Sequence, residues 1–123
     1  MSEPLGPASL SAILQDLTAR GQFEAAVLSD ADGYLLASAS REGAETQAAL
    51  AAMLRNAATR VGSVSMATAD EVTVRDERGR CLVSRSFHAN DRLFVLAVLM
   101  HHRKPYRRLT AQAIEAIRQS YRS

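Results

Sequence analysis

The sequence is short of the residues on which special chemistry depends. It has one cysteine, one lysine, three histidines and no tryptophan in 123 residues. A lone cysteine excludes an intramolecular disulfide, and Cys81, set in an alternating stretch, reads as a small core residue. The one lysine, Lys104, is not preceded by the glycine-rich turn of a P-loop, so backbone amides and a lysine do not combine here to cradle phosphates. The GxGxxG fingerprint of dinucleotide binding is also missing. The segment VGSVS (61–65) lacks the second glycine of a GxSxG nucleophile elbow. Aromatic residues make up 5%, and only Tyr106 lies among the basic residues, so the base-stacking platform of a single-strand binder is lacking and no nucleic-acid partner is expected. The longest apolar run, LFVLAVLM (Leu93 to Met100), has eight residues, enough for a buried strand and far short of the roughly 20 of a membrane span. The opening MSEPLGPASL has neither a basic nor an apolar signal-peptide region, which sets the expectation of a cytoplasmic protein.

Metal ligation finds little support. His101 and His102 are adjacent and would point apart on an extended segment, and His88 beside a turn reads as a surface residue. Asp30-x-Asp32-Gly33 lacks the third ligand and the twelfth-position glutamate of a calcium loop and reads as a turn. No catalytic residue, metal or cofactor is therefore expected.

Composition is that of one globular unit, 47% hydrophobic and 23% charged. Residues 1–8 are expected to form a flexible tail and residues 9–121 a single domain. The net charge of +2 is small, yet much of the positive charge is pooled in HHRKPYRR (His101 to Arg108). Arg107 and Arg108 fall in the first turn of a helix, where cations are disfavoured by a few tenths of a kcal/mol. A partner's carboxylates, phosphate groups or an anionic membrane surface would relieve this, and a solvated loop is the plainer alternative. Arg103, Lys104, Arg107 and Arg108 are the candidates for weak anionic-surface binding, expected to matter for binding and not for folding.

Leu10, Ile13, Leu14 and Leu17 recur at helical spacing, with Ser9 as N-cap and Gly21 as C-terminal stop. Phe23 to Ser29 and Tyr34 to Ala39 read as strands joined by a DADG turn. A long helix follows from about Glu45 to Val64. Glu71 to Asp76 alternates as a half-buried strand, with Val72 and Val74 on one face and Glu71, Thr73 and Arg75 on the other. Arg80 to His88 and Leu93 to Met100 complete a three-strand meander turning at Asn90-Asp91. The last strand is apolar on both faces and is expected at the centre of the sheet, with Glu71 to Asp76 near an edge. After Pro105, the spacing of Tyr106, Leu109, Ala113, Ile114, Ile117 and Tyr121 marks a C-terminal amphipathic helix.

The long helix is over-wide in apolar surface. Leu50, Ala51, Met53, Leu54, Ala57, Ala58, Val61, Gly62 and Val64 fill about half its circumference, more than the stripe of about 100° that covering a sheet requires. Either a second surface packs against it, or the alanines serve helix formation and tolerate water.

The order helix, two strands, helix, three strands, helix resembles the roadblock family, small domains of dynein light chains, lysosomal scaffolds and regulators of Ras-like GTPases. The resemblance covers roughly Leu10 to Arg118 and is carried by AAVLSDADGYLLAS (Ala25 to Ser38), AALAAMLRNAATRVG (Ala48 to Gly62) and LFVLAVLM. It implies an α+β fold in layers: a five-stranded antiparallel sheet of order αββαβββα, with the middle helix on one face and the terminal helices on the other. It also implies a homodimer built from the third strands, through Val72, Thr73, Val74 and Arg75, and from the middle helices, through Ala48, Ala51, Arg55, Ala58 and Gly62. The family further implies a Ras-like small GTPase as partner, with Gln47, Asn56, Thr59 and Arg60 as the docking face. No arginine is placed by spacing as a catalytic finger, so an adaptor without its own chemistry is expected. A PAS- or profilin-like sensory domain is the alternative, though the chain lacks the converging polar and aromatic residues of a ligand pocket.

Overall fold

A computed structural model describes residues 7–30, 34–40, 71–75, 79–102 and 104–121. Helix α1 (Pro7–Gly21) leads into strands β1 (Ala25–Asp30) and β2 (Leu35–Ser40). Strands β3 (Glu71–Arg75), β4 (Cys81–Ala89) and β5 (Arg92–Met100) follow, then helix α2 (Arg107–Ser120). The expected middle helix, Glu45 to Val64, lies outside the described residues.

Helix α1 starts at Pro7, upstream of the anticipated cap at Ser9, which is an interior helical residue. Proline suits a first helical position because its φ is preset and the N–H it lacks has no intrahelical partner there. The left-handed residue at the other end is Gln22 (φ 53°), one position beyond the anticipated glycine stop. The Gln22 N–H donates to the Ala19 carbonyl (3.4 Å) and the Phe23 N–H to that of Thr18 (3.0 Å), the two bonds of a Schellman cap. Gly21 serves a different purpose, since a Cβ there would collide with the buried Phe23 ring.

The strands form one antiparallel sheet of order β2-β1-β5-β4-β3. Strand β5 is central, as its two-sided apolarity requires, and β3 is an edge. Turn chemistry fixes the hairpins. Asn90 (φ 52°) and Asp91 (φ 63°) both take the positive φ of a two-residue type I′ turn. At the β1–β2 end, the Asp30 N–H donates to the Tyr34 carbonyl (3.0 Å) and the Tyr34 N–H to Asp30 Oδ1 (2.9 Å).

Strand alternation divides the core in two. On one face Leu10, Leu14 and Leu17 of α1 and Ala113, Ile114 and Ile117 of α2 pack with Phe23, Leu28, Cys81, Val83, Phe87, Phe94, Leu96 and Val98. Both terminal helices therefore cover the same face. On the other face Ala25, Val27, Val74, Leu82, Ala97 and Leu99 form a second buried cluster, with Val72 against it.

Candidate functional site

The register shows what β3 offers at its edge. A two-residue turn makes Ala89 and Arg92 a hydrogen-bonded pair, so the main-chain groups of alternate β4 residues, including Leu82 and Ser84, point away from β5 and towards β3. Their partners Val74 and Val72 use their own main-chain groups to bond back. It follows that the main-chain N–H and C=O of Glu71, Thr73 and Arg75 face outward, where an added strand would pair. Val74 is buried and Val72 half-buried on the second face, whereas the Thr73 and Arg75 side chains are exposed. The edge thus combines an anchored apolar side with outward main-chain groups.

Beside it, Glu71 is the centre of a polar cluster that the sequence placed only on the polar face of its strand. Its carboxylate accepts a hydrogen bond from the Tyr106 hydroxyl (2.8 Å) and lies 3.8 Å from Arg85 Nε and 3.7 Å from Arg107 Nη2. Arg85 stands directly across from Glu71 in the ladder. The neighbouring Tyr106 side chain and then the Glu71 charge hold the Arg107 guanidinium above the ordinary arginine range. The only sequence signal for this cluster is the polar character of Glu71, because its partners come from β4 and α2 and meet it only in the folded register.

Parts of the basic segment also make contacts within the chain. Lys104 Nζ donates to the Gln22 carbonyl (2.8 Å), and His101 Nε2 lies 3.0 Å from Glu24 Oε1. Two side chains thereby tie the end of β5 to the corner between α1 and β1, and Arg107 joins the Glu71 cluster. Arg108 is exposed, and Arg103 lies outside the described residues. The histidines sit in a bend with ring centroids 6.0 Å apart, not on an extended segment that would point them apart. No group of three His, Cys, Asp or Glu able to hold a metal occurs among the described residues. Among those residues no helix is long and apolar enough to cross a membrane.

The remaining expected interface residues, Ala48, Ala51, Arg55, Ala58 and Gly62, and the expected docking residues, Gln47, Asn56, Thr59 and Arg60, lie outside the described residues. The β3 edge is thus the part of the expected interface that the structure displays.

No family model matches the sequence, and no curated protein matches it. Solved structures do. The gliding protein MglB of Thermus thermophilus is 20% identical and aligns over 98% of both chains with a TM-score of 0.64. MglB of Myxococcus xanthus is 17% identical over 91% of this chain and 90% of its own, with a TM-score of 0.59. A Roadblock/LC7 domain from Streptomyces avermitilis is 22% identical over 88% of this chain and 93% of its own, with a TM-score of 0.58. The strand order, the central apolar β5, the β3 edge and these alignments agree: the chain has the roadblock fold, as its hairpin and its last strand imply.

Proposed function

We propose that this protein is a homodimeric cytoplasmic adaptor that binds a Ras-like small GTPase and modulates or localises it without a catalytic site of its own. The observation that carries the reading is the likeness to MglB along nearly the whole length of both chains. The outward main-chain groups of β3 add to it, since an open edge of this kind is a template for a second strand. In the proposed dimer the β3 strands pair through Val72 to Arg75, and the middle helices approach through Ala48, Ala51, Arg55, Ala58 and Gly62. The GTPase docks on Gln47, Asn56, Thr59 and Arg60. Because the γ-phosphate orders the switch loops of such a GTPase, a surface that touches them binds the two nucleotide states unequally.

Light scattering on the purified protein at micromolar concentration tests the dimer, and a mass of 13.3 kDa, that of one chain, rejects it. Calorimetric titration with candidate GTPases of the source proteome, loaded with GDP or a non-hydrolysable GTP analogue, tests the partner. Unequal affinity is expected. Equal affinity reduces the role to passive scaffolding, absence of binding rejects the assignment, and normal binding by Arg60→Ala rejects the docking face.

A further inference from the structure

A groove of about 630 Å³ between β4, α2 and the start of β3 is lined by Arg85, Arg107, Arg118, His88, Ile114 and Glu71. Apart from Glu71, which begins the β3 edge, it has no residue in the dimer and GTPase-docking surfaces proposed above. Two of its guanidiniums are held by neutral acceptors. Arg85 Nη1 donates to the Arg107 carbonyl (3.1 Å) and to Thr110 Oγ1 (2.7 Å), and Arg118 Nε donates to the His88 carbonyl (3.0 Å). A carbonyl or hydroxyl fixes a guanidinium in place without cancelling its charge. Among the described residues Glu71 is the one carboxylate lining the groove, and it is shared between Arg85 and Arg107 while also accepting from Tyr106. Among the described residues that line it, three cations against one anion leave a surplus of two positive charges. The Arg85 and Glu71 side chains are only 27% and 28% exposed, so water screens this surplus less than on an open surface.

We propose that this groove binds a phosphate dianion, carried on a small molecule or on a phosphorylated protein side chain. A phosphomonoester brings close to two negative charges at neutral pH and three acceptor oxygens, which match both the surplus charge and the forked donors of arginine. A carboxylate supplies half that charge. The volume falls within the range of about 300 to 1,000 Å³ typical of small-molecule sites.

Titration of the isotope-labelled intact protein with phenyl phosphate, and separately with a phosphoserine peptide, at constant ionic strength tests this through the side-chain resonances of Arg85 and Arg118. Saturable shifts are expected, weakened at least tenfold in Arg118→Gln and in Arg107→Gln and unchanged in Arg20→Gln, which lies on α1 away from the groove. Arg107 is 76% exposed, so its variant remains informative even if Arg118→Gln folds poorly. Saturation by phenyl phosphate identifies a free phosphomonoester as the ligand, and saturation by the peptide alone identifies a protein-borne phosphate. Absence of saturable shifts with both probes, or shifts of equal strength in the folded arginine variants, overturns the proposal.

Discussion

Gln22 holds a left-handed backbone on a residue that has a side chain, a conformation that costs non-glycine residues roughly 1–2 kcal/mol. The cap uses only the main-chain N–H of Gln22, and the separate bond from Lys104 uses only its carbonyl, so both survive loss of the side chain. Gln22→Gly is therefore expected to stabilise the protein by about 0.5–1 kcal/mol, after allowance for the greater freedom of glycine in the unfolded chain. Thermal unfolding should show a midpoint raised by roughly 2–6 °C, and a lowered midpoint would contradict the account. The end of α1 was legible in the sequence only to within one position. Gly21 and Gln22 both suit a helix stop by spacing, and the contact that decides between them, the Phe23 ring against Gly21, arises only when the helix folds onto the sheet.

Among the elements, the β4–β5 hairpin depends on a turn with two positive-φ residues, neither of them glycine. Asn90 tolerates positive φ well, whereas Asp91 occupies the position at which a type I′ turn most favours glycine. Asp91→Gly is expected to stabilise the hairpin by about 0.5–1 kcal/mol, read as a higher denaturant midpoint with an unchanged slope. A changed slope would mean that the substitution alters the extent of folding and not the turn alone. Strands were the most legible parts of this chain because alternation and turn residues are local signals. The two-sided apolarity of LFVLAVLM placed β5 at the centre, and the polar alternation of Glu71 to Asp76 placed β3 at the edge. The Glu71 cluster was not legible, since it requires the β3–β4 register and the approach of α2 together. The roles of Lys104 and His101 were hidden for the same reason, as their partners Gln22 and Glu24 lie at the opposite end of the chain.

For the whole molecule, the orientation of β3 separates assembly from folding. The Thr73 N–H points away from β4, so Thr73→Pro removes no bond of the described ladder but blocks an added strand. Loss of the proposed dimer with a nearly unchanged unfolding midpoint at low protein concentration is expected, measured by light scattering and thermal unfolding on the same sample. A variant that remains dimeric would exclude edge pairing through β3. Neighbouring strands β1 and β2, and likewise β4 and β5, are joined by short turns, but β1 and β5 meet from distant parts of the chain, Ala25 against Leu99 and Asp30 against Phe94. Closing that long loop comes before any reward from the seam, so the hairpins can form early while their union sets the pace of folding. Until it closes, the apolar margins of β1 and β5 stay unprotected, and this interval is when a newly made chain is most exposed to aggregation.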